Sequence, residues 1–219
     1  MSESHHDWRE EIWNALSHGL GFLLSLTASA VLITLAAING DGWKLASALV
    51  FCLSLLTVYT SSTLYHSIPH LATKSRMKVF DHCAIFLLIA GTYTPFTLIA
   101  LRERGGWWLF AAAWTLAVAG VVFKLFYTGR FKGLSTLIYV GMGWMAVLAI
   151  KPFLELVPMS TLLWLLAGGL AYTLGTVFYM SKRVYAHAVW HAFVMIGSAC
   201  HFVAVSMQVL GYGSLPQPN

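Results

Sequence analysis

The chain has 219 residues, 58% hydrophobic and only 10% charged, with a mean hydropathy of +0.73. That excess of apolar side chain rules out an ordinary soluble domain, and apolar runs of about 20 residues, rather than alternating runs of about ten, select helices over a transmembrane barrel. The net charge of +5 comes from lysines and arginines in short loops with no extended basic face, so it sets membrane orientation and gives no sign of a nucleic-acid partner.

In chain order, the opening MSESHHDWREE is polar and acidic and lacks the basic start of a signal peptide, so His5 and His6 are expected in a solvated tail. Seven apolar windows follow. The first covers about 13–38 and stops at the turn signal Asn39-Gly40-Asp41-Gly42. The second covers about 43–67 and stops at Ile68-Pro69, and the third runs over about 79–101 to Arg102-Glu103-Arg104-Gly105-Gly106. The fourth is about 107–127, the fifth about 134–150 with its end at Lys151-Pro152, the sixth about 160–180 and the seventh about 185–210. A turn-rich tail, GYGSLPQPN, closes the chain. No repeat or separate soluble segment interrupts this pattern, so residues 1–219 read as a single integral membrane domain, an all-α bundle of seven transmembrane helices.

Loop charge predicts its orientation. Arg9, Lys74, Arg76, Lys78, Lys124, Arg130, Lys132, Lys182 and Arg183 fall on one side, against Lys44, Arg102, Arg104 and Lys151 on the other. The more basic side faces the cytoplasm, which places the N-terminus inside and, with seven spans, the C-terminus outside. Trp13, Trp43, Trp107 and Trp108 at window ends fit interfacial belts. Gly141, Gly143, Gly168, Gly169 and Gly175 are expected to let helices approach closely. Cys52, Cys83 and Cys200 lie in or beside apolar runs without CxxC spacing and read as free core thiols.

Span parity gathers the polar residues at one end. His66 closes the second span, Asp81 and His82 open the third, and His187 and His191 open the seventh, all at the inner face. His187 and His191, four apart, lie one turn above the other on one helix face. With His66 they supply three imidazoles from two helices, the usual protein ligand set of a catalytic zinc with one position open. Asp81 either orients or deprotonates a water there, or pairs with Lys78 or Arg76, or complements a helix start. Ser62, one turn before His66, either reaches Asp81 or bonds its own helix backbone. His82 points about 100° away from Asp81 and is left out of the site. His70 belongs to an exposed loop. His18 lies near the same end of the first span, where it lines the cavity or packs with a hydrogen bond. His201 lies about 21 Å along the helix from His187, too far to share a metal.

Three segments, Ser62-Thr63-Leu64-Tyr65-His66, Phe80-Asp81-His82 and His187-Ala188-Val189-Trp190-His191, resemble the signature of the progestin and adipoQ receptor superfamily. The bacterial branch, the haemolysin III family, is the nearer match. Glu10-Glu11-Ile12 through Ser17-His18-Gly19, Leu64 through His70, and Ala90-Gly91-Thr92-Tyr93-Thr94-Pro95 also resemble that branch. The resemblance implies seven spans in a bacterial inner membrane and zinc on His66, His187 and His191. It also implies Asp81 reaching the zinc through water, with Ser62 nearby. The layout is similar to that of alkaline ceramidases, and the long N-terminal extension of the animal receptors is missing. The expected function is therefore a zinc-dependent intramembrane hydrolase of a lipid amide or ester, acting on a membrane lipid or fatty-acyl substrate in lipid homeostasis. The rival readings are a non-enzymatic membrane sensor with a structural zinc and, behind it, a pore-forming cytolysin.

Overall fold

In hydrocarbon a chain must satisfy its backbone polar groups internally, and long apolar segments do so as helices. The computed structural model describes residues 8–212 and carries that through: it is all-helical among the described residues, with seven helices long and apolar enough to cross a membrane. The expected tail bearing His5 and His6 and the last residues of the C-terminal tail lie outside the described residues. The helices are α1 (Trp8–Asn39), α2 (Gly42–Ser67), α3 (Leu71–Pro95, continued by a wider π turn at Phe96–Ala100), α4 (Trp107–Tyr127), α5 (Lys132–Leu156), α6 (Met159–Met180) and α7 (Ala186–Leu210).

Helix ends follow local chemistry. Asp41 caps α2, its carboxylate accepting from the Trp43 and Lys44 N–H groups at 2.9 Å. The third helix begins at Leu71, eight residues before the expected start at 79. The reason is a cap that hydropathy cannot register: the His70 side chain accepts from the Thr73 N–H, and the polar turns 71–78 are helical though not apolar. Pro95 removes one backbone donor from α3, and threonine hydroxyls of Thr94 and Thr97 donate to the carbonyls of Ala90, Tyr93 and Thr94 around that break. The fifth helix does not stop at Lys151-Pro152. It tightens to a 3₁₀ form over Trp144–Ala149 and resumes over Ile150–Leu156, where Pro152 stands in the first turn and its missing N–H is no loss. The hydroxyl of Tyr93 fixes that irregularity by donating to the carbonyls of Met142 and Gly143 and accepting from the Ala146 N–H, each at 2.9 Å.

The closest packing is between α1 and α2, α2 and α3, and α6 and α7, with α7 returning against α1. Gly120 lets α4 meet the ring of Phe86, and Gly168 lets α6 meet His201; a Cβ there would stand 2.3 and 2.2 Å from those side chains. Gly175 plays the same part against Trp190 and Phe193. Gly141 and Gly143 do not: nothing lies within 4 Å of a Cβ built on either, and Gly169 meets only an ordinary contact with Trp144. Gly141 and Gly143 fall on α5, which touches α3 and α6 sparsely. The space it leaves is part of a cavity of about 620 Å³ walled mainly by α3, α5, α6 and α7, with α1, α2 and α4 contributing at one end. Cys52, Cys83 and Cys200 are buried free thiols, and Trp13, Trp43, Trp107 and Trp108 lie on the outer surface.

Candidate metal centre and its cavity

The left-handed turn at Tyr185 (φ 59°) starts α7 so that His187 sits in its first turn and His191 in its second. The last turn of α2 brings His66 between them. The three imidazole rings stand 5.1 Å (His66–His187), 5.0 Å (His66–His191) and 4.7 Å (His187–His191) apart, centre to centre. One nitrogen from each lies within 4.8 Å of the others, so this trio could hold a metal ion. Nitrogens about 2.1 Å from a shared tetrahedral zinc would stand about 3.4 Å apart, a small rotamer adjustment away.

Hydrogen bonding selects the nitrogen that faces the centre. Glu11 Oε2 accepts from His66 Nδ1–H at 2.9 Å. The Asn14 carbonyl (3.2 Å) and Ser17 Oγ (3.1 Å) accept from His191 Nδ1–H. Both rings therefore present Nε2 as the basic nitrogen, the arrangement in which an outer acceptor fixes tautomer and ring plane. Glu11 also receives Lys74 Nζ at 2.8 Å, and Lys74 donates onward to the Tyr65 carbonyl, so one carboxylate ties α1 to α2 and α3. These α1 residues are the part of the centre that reading the motifs passed over. Their signal lay in the spacing: Asn14, His18, Gly21, Ser25 and Ser29 form a small, polar stripe on the buried face of an otherwise apolar helix.

His18 joins the wall of the centre. Its ring stacks on His191 at 3.5 Å with planes 10° apart, and its Nδ1 lies 2.7 Å from Ser62 Oγ. Its Nε2 is buried without a hydrogen-bond partner. Ser62 is thus engaged across helices rather than with its own backbone, and it lines the same cavity as Asp81. Asp81 is ten residues into α3, so it is no helix-start carboxylate. No ion pair to Lys78 or Arg76 is formed among the described residues. It lines the cavity but does not fall within the close trio of ligand atoms. His82 turns elsewhere, donating from Nδ1 to the Lys78 carbonyl at 2.6 Å with Nε2 3.2 Å from the Tyr179 hydroxyl. His70 is a helix cap, and His201 bonds the Leu165 carbonyl.

The cavity opens beside this centre. His18, Ser62, Asp81, His187 and His191 line one end of it, and Ile150, Phe153, Leu154, Met159, Leu162 and Leu166 line the other. A polar, histidine-bearing head and an apolar barrel are thereby continuous.

A sequence profile described as "Haemolysin-III related" matches residues 6–202, which include every residue of the centre. The chain belongs to the haemolysin III family. The "Hemolysin-3 homolog" of Bacillus subtilis (strain 168) is 46% identical over 198 residues, 90% of this chain and 93% of its own length. "Hemolysin-3" of Bacillus cereus is 44% identical over 203 residues, covering 92% and 93%. The human "Monocyte to macrophage differentiation factor" is 28% identical over 211 residues, covering 90% of this chain and 83% of its own. No solved structure matches the chain significantly. Family and helices together make this haemolysin III protein a multi-pass integral membrane protein.

Proposed function

We propose that the chain is a zinc-dependent intramembrane hydrolase that cleaves an amide or ester of an acyl lipid. The supporting observation is the histidine trio at the head of an apolar cavity that also carries Asp81 and Ser62. His66, His187 and His191 would hold zinc, which with three nitrogen ligands keeps one position open, lowers the pKa of water to about 7 and polarises a carbonyl. A closed structural zinc needs a fourth protein ligand, and Asp81 standing outside the trio favours the open form.

The chain's own residues then divide the work. The apolar barrel holds the acyl chain and excludes bulk water. Asp81 takes a proton from the attacking water as its oxygen bonds the acyl carbon, and returns it to the departing nitrogen or oxygen as that bond breaks. Ser62, held by His18 Nδ1 at 2.7 Å, would donate to the Asp81 carboxylate and fix its direction. The loop charges support a cytoplasmic N-terminus and hence a centre at the inner face of a bacterial inner membrane, where lipid turnover would serve membrane homeostasis.

The experiment begins with metal content of the detergent-purified protein beside His66→Ala and His191→Ala variants. About one zinc per chain, lost in both variants, is expected. Acyl-lipid hydrolysis should then fall by about 10²–10⁴-fold in Asp81→Asn with its zinc retained. Full-rate hydrolysis by that variant would overturn the role of Asp81, and a well-folded protein without metal would leave a membrane regulator as the better reading.

A further inference from the structure

The same end of the cavity carries a second group of side chains that hydrolysis does not use. Lys124, in the last turn of α4, is only 2% exposed. Its Nζ donates to Ser135 Oγ at 2.6 Å and stands 6.0 Å from the Phe123 ring and 5.9 Å from the Tyr139 ring. An ammonium has three donors, yet no carboxylate pairs with Lys124 among the described residues. Lys132, the first residue of α5, donates to the Tyr179 carbonyl and lies 4.1 Å over that ring. Lys78 and Arg130 complete the group: all four cations line the cavity, and Asp81 is the one carboxylate among its described lining. Loop cations that merely set orientation lie in water. A lysine buried in the wall of a cavity, without a counter-ion, is a place where an anion is wanted.

We infer that this cavity binds an acyl lipid with an anionic phosphate headgroup, the phosphate held by Lys124 with Lys78, Lys132 and Arg130 and the chain lying in the apolar barrel. Four cations converging from three helices and a loop suit a group with several charged oxygens better than a lone carboxylate. The stretch of lining from Ile150 to Leu166 is apolar and suits hydrocarbon. The inference concerns what is held, not what is cleaved, so it stands or falls apart from hydrolysis.

The test titrates detergent-solubilised full-length protein with phosphatidylglycerol, phosphatidylcholine, a free fatty acid and inorganic phosphate, counting bound lipid by native mass spectrometry. Phosphatidylglycerol should bind at least about tenfold more tightly than phosphatidylcholine, and Lys124→Met should remove about tenfold of that affinity while Lys124→Arg restores most of it. Helix content by circular dichroism gauges folding. If Lys124→Met does not fold, the double variant Lys78→Gln/Lys132→Gln carries the test and should weaken phosphatidylglycerol by about threefold or more. Equal binding of the two phospholipids, or variants that bind as the parent does, would overturn the inference. Binding of the fatty acid but neither phospholipid would overturn the phosphate, and binding of inorganic phosphate but no lipid would overturn the lipid.

Discussion

Glu11→Gln isolates the residue that joins the histidine trio to the helix bundle. The substitution keeps size and shape but removes the charge that receives both His66 Nδ1–H (2.9 Å) and Lys74 Nζ (2.8 Å) on one oxygen. An amide oxygen still accepts one of these, though more weakly, and Lys74, only 9% exposed, is left with the Tyr65 carbonyl as its other acceptor. Loss of an outer acceptor behind a metal-binding histidine lowers metal affinity by about 10–100-fold, or about 1.4–2.8 kcal/mol. The assay is a chelator-competition titration of zinc in detergent, with Lys74→Met alongside. Lys74→Met leaves the His66 bond intact and should change affinity by less than about threefold. Zinc affinity in Glu11→Gln within twofold of the parent would refute the assignment of Glu11 as the group that orients His66.

Three other outcomes are expected. Stripping the metal should lower stability by about 2.7 kcal/mol relative to protein held at a hundredfold excess over its dissociation constant, read as a drop in thermal midpoint. Gly120→Ala puts a methyl 2.3 Å from the Phe86 ring and should destabilise the α3–α4 contact by about 1–3 kcal/mol, measured by thermal unfolding with zinc content as a control. His18→Phe preserves a ring against His191 but breaks the bond to Ser62, so hydrolysis should slow by about 5–10-fold at unchanged zinc content. A loss of zinc in that variant would mean that His18 supports the ligands rather than Ser62 and Asp81.

Apolar run length is a strong signal because the bilayer fixes it, and all seven spans were legible in the sequence for that reason. What hydropathy cannot see is helix that is not apolar: the capped turns 71–78, and the continuation of α5 past Pro152. The histidine trio was legible too, from the i, i+4 spacing of His187 and His191 and the parity that puts His66 at their end. The contribution of α1 was not, because nothing in a linear motif says that Glu11, Asn14 and Ser17 face residues 55, 177 and 174 positions away. Nor does sequence distinguish glycines at a contact, such as Gly175, from glycines beside a void, such as Gly143. That difference belongs to the neighbouring helix, and the void is what makes room for a ligand.

The long separation within the centre also has a bearing on biogenesis. The first ligand, His66, leaves the ribosome with α2, but His187 and His191 arrive with the last helix, after five-sixths of the chain has been made. A fragment released before α7 has one ligand of the trio and an α1 stripe with nothing to cover it. Any metal held by the whole trio would therefore be captured only once the final span is in place, and a loaded molecule would be by construction one whose two ends have met.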